Sequence, residues 1–285
     1  MICQWNKLMA VLPRWISCQL DGQAEQSCSE IRLRVTESPQ INLTGNYLSL
    51  KGTVAREDLE HVINFSSRYS PWAAITLRQG YLTAPGGHRI GVCGEAVMKE
   101  SGFQSIRNPR SLCIRVARDF PGLADKLKDI SGSILILGAP GWGKTTLLRD
   151  LIRQRGMAGY QVAVMDEREE LFPEGFFTGK GIDVLSGCPK PEAAEMLLKT
   201  MGPHCIAADE ITTGEDTLAM VRCAGCGMDL LATVHAVALE TLKQKEVLRI
   251  LLEREIFHTF VILHRDKSWH LERSGKWQSR VSAQH

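Results

Sequence analysis

An α/β fold with a parallel-sheet core is what this sequence predicts, and three observations predict it. From about residue 131 onward, short apolar runs alternate with segments of helical period, the pattern of strands joined by covering helices. Residues 138–145, Gly138 to Thr145, match G-x-x-x-x-G-K-[ST] and lie between the apolar run Ile134 to Leu137 and a helix-like segment. A further apolar run, "HCIAADE", ends in the paired acids Asp209 and Glu210.

Taken in order, residues 1–125 read as a smaller mixed α/β domain. Trp5, Leu8, Leu12, Trp15 and Ile16 recur at helical spacing and predict one helix with an apolar stripe. "EIRLRV" and "GNYLSL" alternate like strands, and "EDLEHVINFSSRY" reads as a helix. "GYLTAPGGHRIGVCGEAV" predicts a hairpin turning at Gly86 and Gly87, and "SLCIRVARDF", residues 111–120, a strand carrying Arg115 and Arg118. In "PGLADKLKDISGS", Leu123, Leu127 and Ile130 suggest a packed helix rather than a loose linker.

Residues 126–285 then form the core domain. Strands are expected at "SILILG", "QVAVMDE", "HCIAADE", "DLLATVHA" and "TFVILHR", and "SWHLERS" is placed to close a hairpin with the last of them. Helices are expected at "GKTTLLRDLIRQ", "PEAAEMLLKTMG", "GEDTLAMVRCAG" and "LETLKQKEVLRILLERE", and the terminal "VSAQH" is expected to fray.

Composition narrows the function. With 44% hydrophobic residues, 23% charged and a formal charge of +2, the chain is an ordinary globular protein without a broad basic footprint for duplex DNA or an anionic membrane. Nine cysteines form no disulfide framework, and Cys223 and Cys226, a C-x-x-C with no second pair at zinc spacing, read as a reduced pair. Reduced thiols imply a cytosolic compartment. The first twenty residues are interrupted by Asn6, Lys7, Pro13 and Arg14, and no apolar run approaches the ~20 residues of a membrane span. The expectation is a cytoplasmic protein that reaches any membrane through partners, with no insertion of its own.

The chemistry-bearing residues converge on a nucleotide. In Gly138, Ala139, Pro140, Gly141, Trp142, Gly143, Lys144, Thr145 and Thr146, glycines let the backbone approach phosphate, its N–H groups cradle the anion, and the following helix points its positive end at it. Lys144 would reach the terminal phosphates of ATP, and Thr145 would ligate Mg²⁺. Asp209 is a second candidate metal ligand, and Glu210 would orient and polarise the attacking water. Both emerge at the carboxyl edge of the sheet, where parallel sheets bind ligands. His235 ends the next strand with Thr233 on the same face, placed to hydrogen-bond a phosphate and report its loss. Glu167 either organises water around the metal or joins Arg168 in a structural pair, and the sequence does not separate the two.

"GYLTAPGGHRIGVCGEAV", "GAPGWGKTTLLRD", "VMDEREE", "DVLSGCPKPE", "MGPHCIAADEI" and "LLATVHA", in this order, resemble the stage III sporulation protein AA family of endospore-forming Firmicutes. That family is related to the type II, type IV pilus and type IV secretion motors. The resemblance implies a P-loop NTPase core of the RecA/AAA-like kind and a mother-cell ATPase that works with integral membrane proteins to build a channel to the forespore. It makes Lys144 and Thr145 the Walker A residues, Asp209 and Glu210 the Walker B residues and His235 the histidine box, and it places Glu167 in the aspartate-box region. It also implies a homo-oligomeric ring, taken as a hexamer, in which arginines of an adjoining domain complete each site. Arg89, Arg115 and Arg118 are the strand-borne candidates. The 1–125 domain would then serve docking and supply those arginines, with the residue 5–16 stripe as the docking surface. The chain departs from the family pattern at Gly181 and Ile182, where an Arg-Thr pair is usual, at Thr213 and in "TVHA". A competing reading is an ATP-dependent single-stranded nucleic-acid-binding protein. The absence of an aromatic-plus-basic platform speaks against it, and nucleic acid is not an expected partner.

Overall fold

The computed structural model describes residues 2–43, 45–67, 80–99, 102–173 and 175–273. The chain divides into two compact units, one comprising Met1–Asp119 with Pro173–Phe176, the other Phe120–Phe172 with Phe177–His285.

The first unit is built on a six-stranded antiparallel sheet. Its strands are β1 (Cys28–Arg34), β2 (Gln40–Leu43), β3 (Asn46–Ser49), β4 (Tyr81–Ala84), β5 (His88–Lys99) and β6 (Gly102–Arg115), in the spatial order β3-β2-β1-β6-β5-β4. Helices α1 (Trp5–Val11), α2 (Arg14–Ser17), α3 (Gly22–Ser27) and α4 (Arg56–Ser66) accompany it.

The single helix expected over residues 5–16 is two, because Pro13 has no N–H to donate and its ring holds Leu12 in an extended conformation. The stripe itself is real but faces inward: Trp5, Leu8, Leu12 and Ile16 are buried in the core of this unit. It is therefore packing surface of this unit and not the exposed docking stripe expected from the sequence. Trp15 is half-buried, and its indole N–H donates to Asp58 Oδ1 (2.8 Å) while Asp58 Oδ2 accepts from the Ala55 N–H at the start of α4 (2.8 Å). The last two residues of the predicted "EDLEHVINFSSRY" helix, and "VSAQH", lie outside the described residues.

The β4–β5 hairpin turns at Gly86 and Gly87 as expected: three residues, Pro85 to Gly87, join the paired Ala84 and His88, and both glycines are left-handed, with φ of 89° and 77°. β6 begins nine residues before the expected residue 111 and ends at Arg115, so Arg118 follows the strand rather than riding on it. His88, at the start of β5, is fully buried. Its Nδ1 accepts from the Ala117 N–H (3.1 Å), so Nε2 carries the proton and donates to the Gln4 carbonyl (3.2 Å). Burial lowers its pKa and keeps the ring neutral.

The second unit opens with a single 3₁₀ turn at Asp125–Leu127, where a longer helix was expected; Ala124 and Leu127 are nevertheless buried. Its sheet comprises β7 (Ile134–Leu137), β8 (Val162–Asp166), β9 (Ile182–Ser186), β10 (Cys205–Ala208), β11 (Asp229–Val234), β12 (Thr259–Leu263) and β13 (Trp269–Arg273) in the order β13-β12-β7-β11-β10-β8-β9. All its pairings are parallel except β12–β13, the closing hairpin.

Alternate residues of these strands feed two cores. Ile134, Ile136, Val162 and Val164 pack with Leu147, Leu148 and Leu151 of α5 (Lys144–Met157) on one face. Leu135, Leu137, Ala163 and Met165 pack on the other with α6 (Lys190–Thr200), α7 (Gly214–Gly225), α8 (Leu239–Gln244) and α9 (Glu246–Glu253). The last two were expected as one helix, and Lys245 (φ −87°, ψ 102°) breaks it. Strand β9 was not expected; "IDVLS" is short and only half-buried because it forms the sheet edge. Among the described residues no helix is long and apolar enough to cross a membrane.

Candidate functional site

The site lies at the carboxyl edge of the second sheet, and strand order assembles it. β11 sits between β7 and β10, and β10 has β8 on its other side. Register aligns Ala208 with Met165 and with Ala232, so the residues that end or follow these strands lie together: Asp166 and Glu167, Asp209 and Glu210, Thr233 and His235.

The loop from Gly138 to Gly143 joins β7 to α5, and its turns are left-handed at Gly141 (φ 75°) and Gly143 (φ 102°). A Cβ on either would meet nothing within 4 Å, so the space above the loop is open and bounded by backbone. Only glycine adopts these angles without strain. Such a cradle, capped by the first turn of a 14-residue helix, fits an anion.

Lys144 is buried and its ammonium donates to the Ala139 carbonyl (3.1 Å) and to His235 Nδ1 (2.9 Å). Burial lowers its pKa, opposed by the negative charges of Asp209 and Glu210. Asp209 accepts two hydroxyls, Thr145 Oγ1 on Oδ2 and Thr233 Oγ1 on Oδ1, each at 2.6 Å. The Thr233 hydroxyl in turn accepts the Glu210 N–H (2.9 Å), and Glu210 itself is left-handed, with φ of 56°. Its Oε1 lies 2.6 Å from His235 Nε2, and its Oε2 accepts from Arg168. Lys144, His235, Glu210 and Arg168 thus form one chain of contacts across β7, β11, β10 and β8.

Glu167 does not join Arg168, one of the two alternatives left open by the sequence. It pairs with Lys190 at the start of α6 (2.6 Å), and Arg168 pairs with Glu210 instead. Lys190 is buried and also lies 3.9 Å from Asp216. Asp166 turns away from the open edge and accepts the N–H groups of Glu170 (2.9 Å), Leu171 (3.1 Å) and Phe172 (2.9 Å), while burial pushes its carboxyl up. The Arg168–Glu210 pairing and the role of Lys190 escaped the sequence reading, which offered Arg168 only as a partner for Glu167. A signal for Arg168 was available in its position beside Glu167 at the end of a central strand, but a charged run at a strand end more often marks solvent.

The arginines belong to the first unit. Arg115 is exposed at the end of β6; Arg118 donates to the carbonyls of Glu25 (2.7 Å) and Cys28 (2.8 Å); Arg89 lies over the Tyr81 ring, 4.0 Å from its centre. All nine cysteines are free, including buried Cys223 and exposed Cys226. Among the described residues no cluster of three His, Cys, Asp or Glu is placed to hold a metal, so a cation here would rest on Thr145 and Asp209 together with ligand oxygens.

A family description, sporulation stage III, protein AA, matches residues 4–277. The chain belongs to that family. Stage III sporulation protein AA of Bacillus subtilis (strain 168) is 32% identical over 284 residues, an alignment covering 92% of each chain. Among solved structures, the pilus retraction motor PilT with bound ADP aligns over 91% of this chain and 86% of its own, with a TM-score of 0.64 and 17% identity. The Legionella pneumophila ATPase DotB aligns over 96% and 84%, with a TM-score of 0.56 and 17% identity. At such identities the structural likeness establishes the fold, an α/β P-loop core that follows a smaller α/β unit along the chain.

Proposed function

We propose that this sporulation protein is a Mg²⁺-dependent ATPase of the secretion-motor kind, and the observation that carries the reading is the Thr145–Asp209 contact beside Lys144, His235 and Glu210. A hydroxyl and a carboxylate on one face of an anion cradle are the protein half of a Mg²⁺–phosphate site, since Mg²⁺ keeps several waters and takes the rest from phosphate. The bound ion would neutralise phosphate charge. Lys144 leaves Ala139 and His235 for the terminal phosphates. Thr233 holds the Asp209 carboxylate and the Glu210 backbone in register. Glu210 then orients the attacking water, and His235, freed from Lys144, reads the presence of the phosphate. Glu167 acts at one remove, through Lys190 and the loop that carries Arg168.

The chain works as a homo-oligomeric ring, a hexamer, on the cytoplasmic face of integral membrane proteins of a mother cell–forespore channel. Family membership and the shared fold of a pilus retraction motor support this part. Arg115 is the arginine offered to the neighbouring site, and Arg118 secures the strand end that carries it.

The test is a pair of variants measured for Mg²⁺-ATP binding and for phosphate release. Lys144→Ala should lose binding, and Glu210→Gln should bind ATP but lose turnover by about 10² or more. Chelating Mg²⁺ should stop hydrolysis in the parent protein. A glutamine variant that turns over at the parental rate would remove Glu210 from the mechanism.

A further inference from the structure

The nucleotide site uses the carboxyl edge of the second sheet, and the amino edge carries a feature of its own. A cavity of about 550 Å³ opens there, among Ser133 before β7, Asp229 at the start of β11 and His258 before β12. β11 is six residues long, so the two edges lie ~20 Å apart. Open parallel sheets bind the ligands of their chemistry at the carboxyl edge, which makes a cavity at the opposite one a binding surface for something else.

Two helix ends frame it, and they are built alike. α7 closes with the Met228 N–H on the Cys223 carbonyl (3.3 Å) and the Gly227 N–H on the Ala224 carbonyl (2.9 Å); α9 closes with Ile256 on Leu251 (3.3 Å) and Glu255 on Leu252 (3.0 Å) in the same pattern. Each has a left-handed residue after its cap, Gly227 at φ 82° and Glu255 at φ 50°. This is the Schellman arrangement. It brings the apolar residues that follow, Met228 and Ile256, into the cavity wall and sets the negative ends of two helix dipoles at its rim.

The side-chain charge has the same sign. Among the described residues the lining carries two carboxylates, Asp229 and Glu255, against one guanidinium, Arg254. Val221, Met228 and Ile256 give the wall an apolar surface beside them. A cationic head on a long aliphatic stem matches that lining, with the stem along the apolar wall and the head at the carboxylates and helix ends. Arginine and lysine have that form. The rim is exposed at Gly225, Gly227 and Glu255, so such a side chain can enter on a segment from another protein.

The cytoplasmic loops of membrane proteins are rich in these two residues. We propose that the cavity is a docking site for an arginine- or lysine-bearing cytoplasmic loop of an integral membrane partner. The inference rests on the membrane-partner reading above and deepens it, by naming the surface and the chemistry of the contact.

Equilibrium binding of a synthetic Gly-Ser peptide bearing two arginines tests it, beside the same peptide with citrulline, which keeps the shape and loses the charge. The arginine peptide should bind about tenfold or more tightly, and about 0.5 M salt should remove most of the difference. Asp229→Asn and Glu255→Gln should each weaken it about three- to fivefold, and Arg254→Gln should tighten it about twofold, a gain that damage to the fold does not produce. All three variants should bind ATP as the parent does, because the nucleotide site lies at the other edge. In sporulating cells, the double variant Asp229→Asn with Glu255→Gln should be lost from the membrane fraction that holds the parent. Equal affinity for the two peptides would overturn the proposal, and so would a double variant that stays with the membrane. A double variant that no longer forms the parent's oligomer in ATP would make a second copy of the chain the occupant and overturn it too. A parent absent from the membrane fraction, with its peptide binding intact, would instead overturn the membrane-partner reading and the assignment of this partner with it.

Discussion

His235 Nε2 lies 2.6 Å from Glu210 Oε1, which occupies the oxygen a water would need. The second oxygen is taken by Arg168, so in the proposed role Glu210 would have to release one partner before orienting a nucleophile. Arg168 is 54% exposed, and an ion pair in that setting holds its partner by ~1 kcal/mol at most, about fivefold in population. Arg168→Ala should therefore raise basal turnover by up to about fivefold, whereas His235→Ala should lower it by about 10² with ATP affinity little changed. Phosphate release under saturating ATP distinguishes them. If Arg168→Ala is as damaging as Glu210→Gln, Arg168 acts on the phosphate and not as a restraint.

The left-handed backbone at Glu210 makes a separate prediction about stability. A non-glycine residue there costs ~1–2 kcal/mol, so Glu210→Gly should be more stable than Glu210→Ala by about that amount. Both lack the carboxylate, so the difference isolates the backbone. Urea unfolding with equal midpoints for the two variants would show that φ of 56° carries no strain.

The proposed ring would depend on the first unit. A head-to-tail contact whose rotation closes makes a ring, and an arginine given across it can be worth ~10³ or more in turnover. Specific activity should rise with protein concentration, and Arg115→Ala should flatten the rise while leaving ATP affinity intact. Arg118→Ala should instead lower stability by ~1–3 kcal/mol, because the Glu25 and Cys28 carbonyls lose their donor. Activity independent of concentration, with no oligomer by light scattering in ATP, would reject the ring.

His88 predicts a pH dependence. Its folded pKa is lowered from 6.5 by burial, so the unfolded chain binds the proton more tightly. Stability is then fully present above 6.5 and is lost as pH falls through that value toward the folded one. Unfolding midpoints measured between about pH 5 and 8 should show this slope in the parent and lack its His88 component in His88→Gln, which should also be less stable at neutral pH by ~1–2 kcal/mol. An unchanged slope would mean that other groups govern the acid limb.

Much of this architecture was legible because its signals are local. The Gly138–Thr145 spacing, the apolar runs before Asp209 and His235, and the Gly86–Gly87 turn each depend on a few adjacent residues. What escaped depends on partners far along the chain. Nothing beside Arg168 marks Glu210 as its partner, and nothing beside Glu167 marks Lys190, since the first pairing follows from β8 lying next to β10 and the second from α6, which starts after β9, packing against β8. β9 was missed because an edge strand needs little apolar content. The helix over residues 5–16 was over-read because the stripe continues past Pro13 although the backbone cannot. The outward reading of that stripe failed for a similar reason: periodicity finds an apolar face, and only packing says what covers it.

The chain leaves the second unit after Phe172, contributes Pro173–Phe176 to the first and re-enters the second at Phe177. The two units are consequently not beads on a string that one cut separates. A protease that nicks between residues 119 and 120 leaves the halves tied by two further strands of polypeptide. A gene truncated there yields a first unit without its own four-residue splice, and Gln4 Nε2 loses the Gly175 carbonyl it donates to (3.0 Å). Dissecting this protein into working parts calls for rejoining residue 172 to residue 177 through a short bypass, rather than for choosing a better boundary.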